Sequence, residues 1–295
     1  MSVYWSTYVQ TSEELYASRA LRFRHDNAQL WLDALGAENG MKVLETGCGG
    51  GVFCHRIKEA LPECSVTGPD LDAGHIAFAQ RKSAELGMDC TFLCCDACAM
   101  PFKDASFDLA FSHTVMCFCD PDRFAAEQYR VLRDGGRMTA MDVINRASAE
   151  RWLPENPRES ELFGKLWEAA SQNEHSDIPR FADSKRVWAE SMERAGFKEI
   201  TFKVLAVVSY CPDSADVSRE MALEMINEDR LSALSSAQKA RIMAPGALTE
   251  AEYAELESLI NARYDERIAL YDRGEKLWDY GTSTVIAVTG VKPSV

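Results

Sequence analysis

The segment Val43-Leu44-Glu45-Thr46-Gly47-Cys48-Gly49-Gly50-Gly51 constrains this chain more than any other, because an apolar run ends there in four glycines interrupted only by Cys48. Glycine carries no Cβ and enters left-handed backbone freely, so such a run predicts a strand that turns tightly into a helix. It also lets a ligand approach the backbone at the helix N-terminus, where N–H groups lack intrahelical partners.

Beyond this turn the chain has the rhythm of an α/β domain. Hydrophobic spacing and turn residues predict a strand at 41–45, a helix at 52–60, a strand at 64–68, a helix at 73–86 and strands at 91–95 and 107–112. A helix at 123–132, the turn Asp134-Gly135-Gly136 and a strand at 137–143 come next. Alternation of this kind predicts a mostly parallel sheet with helices on both faces. The first forty residues read as helical. Residues 146–181 read as helix interrupted by Pro154, Pro157 and Pro179, and 184–195 as a helix closed by Gly196. Strands are predicted at 198–209 and 282–291, separated by a charged helical stretch, 213–276, broken only at Pro245-Gly246.

The spacing of the glycines narrows the ligand. The dinucleotide fingerprint G-x-G-x-x-G, counted from Gly47, requires Gly or Ala at position 52, where this chain has Val52. The match is to G-x-G-x-G, a turn that leaves room for the body of a ligand without a pyrophosphate. Asp70 closes the second strand, where an acid can accept from both hydroxyls of a ribose, and Asp96 closes the third.

These residues, with Asp96 to Phe102, Ser106-Phe107-Asp108 and Val131 to Arg137, resemble the class I S-adenosylmethionine (SAM)-dependent methyltransferases, in the small-molecule group that includes the quinone-biosynthesis enzymes (type 11). The resemblance covers roughly 41–145. It implies a Rossmann-like, doubly wound, mostly parallel seven-stranded sheet of order 3-2-1-4-5-7-6 with the last strand antiparallel. N-terminal helices would precede it and a helical insertion would precede the last strand. The implied division is a helical cap at 1–40, a SAM-binding core at 41–146, a lid at 147–182, the rest of the sheet domain at 183–212 and 277–295, and the insertion at 213–276.

The resemblance also implies roles. Gly47, Gly49 and Gly51 would border the methionine part of SAM, and Glu45 would fix the turn. Asp70 would hold the ribose and Leu71 would pack on adenine. Asp96 and the backbone of Ala97 would meet the adenine, and the Ser112 carbonyl would face the cofactor ammonium. The product would be S-adenosyl-L-homocysteine (SAH). Three positions depart from the usual pattern: Pro69 before the ribose acid, Asp72 where a small hydroxyl residue is frequent, and the length of the insertion.

Other candidates come from the residues alone. Tyr16, Arg19 and Arg22 in the leading helix are placed to close over the methionine carboxylate, against the plainer reading of an exposed face and a core tyrosine. His113 and Thr114 leave the fourth strand, with His113 either a general base or a packing residue. Trp152, Phe163, Trp167 and Phe181 form either an aromatic lid or ordinary core. Cys94, Cys95, Cys98, Cys117 and Cys119 do not match zinc spacing, so no metal is expected, although a thiol-dependent arsenite methyltransferase stays as a minor variant.

Composition closes off further classes. A formal charge of -14 and the absence of any long basic run exclude a phosphate-backbone reader, so the expected partner is a small-molecule methyl acceptor, with no nucleic acid and no membrane. The strand-four exit, Ser112-His113-Thr114-Val115, lacks the Asn-Pro-Pro-aromatic run of nucleic-acid amino methyltransferases. No secretory signal opens the chain, which is read as cytoplasmic with reduced thiols. A homodimer through the helical insertion is a further expected partner, and the competing function is a SAM- or nucleotide-binding regulatory or assembly protein without turnover, the insertion serving as an interaction surface.

Overall fold

The computed structural model describes residues 5–8, 10–145, 149–150, 156–172 and 184–294. Its sheet grows from the central apolar strands. β1 (Lys42–Glu45) pairs in parallel with β2 (Ser65–Asp70) and β4 (Phe107–His113), and β2 pairs in parallel with β3 (Cys90–Cys94). β5 (Leu132–Asn145) extends the parallel set beside β4. β8 (Tyr280–Val291) enters antiparallel between β5 and the outer strand β7 (Lys198–Tyr210). β6 (Ala149–Glu150) is a two-residue pairing at the far end of β8. With that short pairing set aside the order is 3-2-1-4-5-7-6, as expected, with the last strand reversed.

Helices cover both faces because each presents one apolar stripe. On one face α3 (Ala28–Leu35), α4 (Val52–Ala60) and α5 (Ala73–Leu86) bury Trp31, Leu35, Phe53, Ile57 and Ile76 against Val43, Val66, Leu109 and Phe111. On the other, α6 (Pro121–Val131) and α8 (Lys185–Ala195) bury Phe124, Trp188 and Met192 against Leu44, Ala110, Met138 and Val288. α3 thus belongs to the sheet layers, and α1 (Trp5–Tyr8) and α2 (Ser12–Arg22) remain as the part of the first forty residues that caps the strand ends.

Two local readings change. The Asp134-Gly135-Gly136 turn does not precede the fifth strand. β5 already begins at Leu132, opposite Phe107, and the next pair is Leu109 with Arg137, so the turn is a bulge within the strand. It is pinned from β8, with the Gly135 N–H donating to the Lys292 carbonyl and the Lys292 N–H to that of Gly136. Of the stretch expected as interrupted helix at 146–181, Ala149–Glu150 is instead the short strand β6, held by its pairing with β8, and the helical part described is α7 (Pro157–Ser171), which starts on Pro157. Trp152 and Phe181 lie outside the described residues.

The insertion folds as a helical hairpin. α9 (Arg219–Met243) is capped by Ser218, and α10 (Glu250–Asp272) opens on a Thr249–Glu252 capping box, with the break at Pro245-Gly246. Its ends meet at buried Arg267, which donates to Asp213 at 2.9 Å, just after β7, and to Asp279 at 2.8 Å, just before β8. Met225, Ile226, Leu256 and Ile260 pack with α7 residues Leu162 and Leu166 and with Leu21 of α2. The insertion therefore backs the cap helix.

Candidate active site

A cavity of about 350 Å³ opens at the carboxyl ends of β1, β2, β3 and β4, a size that suits a small-molecule ligand. Its floor is the glycine turn. Gly47 has φ +73° and Gly49 φ +53°, and a Cβ on Gly47 would come within 2.4 Å of the Val115 side chain. The turn is stitched to the second strand by backbone, since the N–H groups of Gly47 and Cys48 both donate to the Pro69 carbonyl. Pro69 lacks an N–H, but its carbonyl carries the turn.

Glu45 sits beneath, buried, accepting from the Cys54 N–H at 3.0 Å and from the Cys54 thiol. Burial pushes its carboxyl up to about 8, against the hydrogen bonds from Cys54. Asp70 accepts from the Gly49 and Asp72 N–H groups, both at 2.8 Å, one on each carboxylate oxygen. Each oxygen keeps a further lone pair for a ligand. Burial raises its pKa, with those two N–H donors opposing.

The structure brings Glu45, Gly47, Gly49, Asp70, Leu71, Asp96, Ala97, Tyr16, Arg19 and His113 to the cavity lining. It does not bring Gly51 or Ser112 there. Gly51 caps α4 at φ +81°, and a Cβ on it would meet the Phe92 ring at 2.8 Å, so packing against β3 demands that glycine. Ser112 is buried in β4, where alternate side chains take opposite faces: Leu109 and Phe111 join one core and Ala110 the other, so the His113 side chain reaches the cavity and that of Ser112 does not, while the role expected of Ser112 belongs to its backbone carbonyl. Phe163 and Trp167 pack on each other along α7, and neither lines the cavity.

His113 is 7% exposed, and its Nε2 is buried without a partner. Its ring lies edge-on to Phe23 at 5.3 Å, and Nδ1 lies 3.2 Å from the Thr114 hydroxyl. Burial, then Arg22 and Arg19, hold its pKa well below the ordinary histidine value, so it is neutral at physiological pH. Thr114 takes φ +60°, strained for a β-branched residue, and turns Val115 under Gly47. Arg19 donates to Gln10 and Ser18, both neutral; burial, with Arg22 beside it, lowers its pKa to about 9, and it remains charged. Burial raises Tyr16 to about 12, which keeps a neutral phenol.

Several residues of this site were not read from the sequence. Trp5 and Phe118 both line the cavity, with their rings edge to face at 4.8 Å. Asp72, noted only as a departure, caps α5 through the Gly74 and His75 N–H groups and also accepts from the Ser6 N–H at 2.7 Å and the Ser6 hydroxyl at 2.9 Å. Burial works against its charge, but these donors outweigh burial and hold it below the usual carboxylate range. The cap reading of Asp72 was available from its place before a helix. The bond to Ser6 was not. Buried Gln128 of α6 accepts from the Thr46 hydroxyl at 2.9 Å and reaches the Ala97 carbonyl at 3.5 Å, joining the turn to the third-strand loop. All ten cysteines are free, and among the described residues no group of three or more His, Cys, Asp or Glu is arranged to hold a metal.

A doubly wound sheet of this order, with a glycine turn and an acid closing each of the next two strands around one cavity, defines a Rossmann-like methyltransferase fold. Residues 44–140 match the family model described as a methyltransferase domain, and this stretch is a class I, SAM-dependent methyltransferase domain. The chain is 33% identical over 102 residues to a demethylmenaquinone methyltransferase of Thermus thermophilus, covering 34% of this chain and 46% of that one. It is 34% identical over 137 residues to a phthiotriol/phenolphthiotriol dimycocerosates methyltransferase of Mycobacterium ulcerans, covering 46% and 48%. The match thus spans about half the length of these curated relatives. Among solved structures, a Haemonchus contortus phosphoethanolamine N-methyltransferase 2, in complex with phosphomonomethylethanolamine and S-adenosylhomocysteine, aligns with TM-score 0.56 at 17% identity, over 99% of this chain and 60% of that one. These structural likenesses concern the fold.

Proposed function

We propose that this protein transfers a methyl group from SAM to a small-molecule acceptor by in-line displacement. The observation that carries the reading is the convergence of the Gly47–Gly49 turn, Asp70 and Asp96 on one cavity. The glycine turn lets Val115 and Leu15 pack onto the cavity floor where a methionine chain would lie, the free lone pairs of Asp70 suit two ribose hydroxyls, and the free oxygen of Asp96 suits an adenine amino group. One Asp96 oxygen already accepts from the Cys98 N–H at 2.8 Å, which orients the carboxylate. Arg19, half-buried and bonded only to neutral groups, is the counter-ion for the methionine carboxylate.

When bound, SAM supplies an electrophilic methyl on a sulfonium. The chain's own task is then alignment and exclusion of water. Trp5, Leu15 and Tyr16 cover the cavity from the cap, and Phe53 and Phe118 complete an apolar surround. Neutral His113 accepts or donates a hydrogen bond at the acceptor, and with its pKa so far depressed it is a weak proton acceptor for an acidic nucleophile rather than a strong base. No helix among the described residues is long and apolar enough to cross a membrane. The compartment we assign is the cytoplasm, where ten free cysteines stay reduced. The insertion, docked on α2 and α7, shapes the acceptor side, and its outer face is the surface for a homodimer.

Calorimetric titration with SAM, SAH and NAD tests the reading. SAM and SAH are expected to bind at micromolar concentration and NAD not at all, and Asp70→Ala is expected to weaken SAH by about tenfold or more. Absence of SAM binding up to millimolar concentration overturns the proposal, and normal binding by Asp70→Ala overturns the place given to the ribose.

A further inference from the structure

Between the glycine turn and the third-strand loop a polar pair is buried in an apolar layer. Thr46, at the exit of β1, and Gln128 of α6 are both buried, and their neighbours Leu44, Phe124, Ala125 and Val131 belong to the core on that face of the sheet. The Thr46 hydroxyl donates to Gln128 Oε1 at 2.9 Å, and Gln128 Nε2 donates to the Ala97 carbonyl at 3.5 Å. The reverse orientation of the amide would set Oε1 against the Ala97 oxygen, acceptor against acceptor, so the relay has one direction. Exchanging such a pair for apolar side chains of the same shape costs a core little, so stability does not account for it.

The place of Ala97 does account for it. Its carbonyl belongs to the Ala97–Cys98 peptide unit, and the N–H at the other end of that unit donates to Asp96 Oδ1 at 2.8 Å. Gln128 therefore grips one end of a peptide plane whose other end orients the Asp96 carboxylate. A bond accepted by the carbonyl also polarises the N–H of the same unit and strengthens its hold on Asp96. Asp96 stands in an exposed loop, where a carboxylate turns freely unless it is held. Thr46 anchors the relay in the sheet, its own N–H donating to the Phe111 carbonyl at 2.8 Å. Farther along the same loop α6 holds Met100 and Phe102 through Glu127 and Arg130, so Gln128 extends the grip of that helix to the part that lines the cavity. We propose that Gln128 is a positioning residue for base selectivity: through the Ala97–Cys98 peptide it fixes the free Asp96 oxygen as an acceptor, so that the site takes a purine with an exocyclic amino group over one with an oxo group. The inference rests on the methyltransferase reading.

The test compares, by calorimetry, SAH with S-inosyl-L-homocysteine, which carries an oxo group in place of the adenine amino group. The wild type is expected to prefer SAH by about tenfold or more, because the oxo oxygen meets an acceptor. Gln128→Met is expected to weaken SAH by about five- to tenfold while changing the inosyl compound less than about twofold, whereas a residue that merely stabilised the loop would lower both alike. Thr46→Ser, which keeps the hydroxyl, is expected to preserve the preference. The double variant Thr46→Val/Gln128→Met restores a matched apolar pair in case a single variant does not fold. It is expected to melt close to the wild type and to show a preference below about threefold. A wild-type preference retained by the double variant overturns the proposal, as does a wild type that binds both compounds equally. Failure of the wild type to bind either compound is a different result: it removes the methyltransferase reading, and this assignment with it.

Discussion

The sheet-side wall of the cavity and its helical wall are built in unlike ways. On the sheet side, Gly47, Cys48, Gly49, Asp70 and Asp72 lie within one strand-turn-helix unit and the strand beside it, and backbone N–H groups make most of the bonds that hold them. On the helical side a few side chains dock short helices from a distance. Ser6 reaches Asp72, the Ser12 hydroxyl lies 2.8 Å from His75 Nδ1, and Glu14 meets Ser235 and Lys239 of the insertion. The first wall is preorganised whenever the sheet is folded. The second closes only when several separately weak contacts form together, and elements held in that way open locally at less cost than the global fold.

The comparison is broken most severely at the turn. Gly47→Ala adds a Cβ at φ +73° and 2.4 Å from Val115, so we expect a loss of about 2–4 kcal/mol in stability and of nearly all SAH binding. Gly87→Ala is the control: φ is +65°, but nothing lies within 4 Å, so a cost of about 1–2 kcal/mol with unchanged SAH affinity is expected. Urea melts and calorimetry decide, and equal effects from the two would show that backbone strain alone, without the contact to Val115, sets the turn.

The helical wall is probed by Asp72→Ser and Ser6→Ala. Serine keeps an N-cap for α5 but cannot hold both Ser6 donors, so the melting temperature is expected to stay nearly constant. SAH should bind roughly three- to tenfold more weakly, with faster deuterium uptake over residues 5–22. Unchanged uptake and affinity would mean that the Ser6–Asp72 contact does not close the cap.

A subtler difference is pH. Glu45 has a folded pKa of about 8 against an ordinary 4.5, so the folded protein holds a proton that the unfolded chain releases. Its contribution is full below pH 4.5 and is lost as pH rises through 8. Wild-type stability should therefore fall between about pH 4.5 and 8, and Glu45→Gln, which still accepts from the Cys54 N–H, should flatten that slope. A slope unaltered by the substitution would assign it to other groups.

The turn, the two acids that follow it and the alternation of strands and helices were legible in the sequence because each is local: a glycine where φ must be positive, an acid at a strand end, a period of two or of 3.6. Even so, locality misled at Gly51. Its glycine looks like its neighbours, but the contact that demands it is with Phe92, forty-one residues away. The turn after α6 was read in front of the fifth strand because the Lys292 bonds that hold it inside the strand come from the other end of the chain.

What the sequence alone determined is thus the sheet, the turn and the cofactor-shaped half of the cavity, since these follow from short-range sterics and periodicity. The docking of Trp5 over the mouth, the support of α2 by α9 and the burial of His113 against Phe23 were decided only by tertiary structure. Each joins segments many residues apart, and only packing determines which polar groups find partners and which are left facing the cavity.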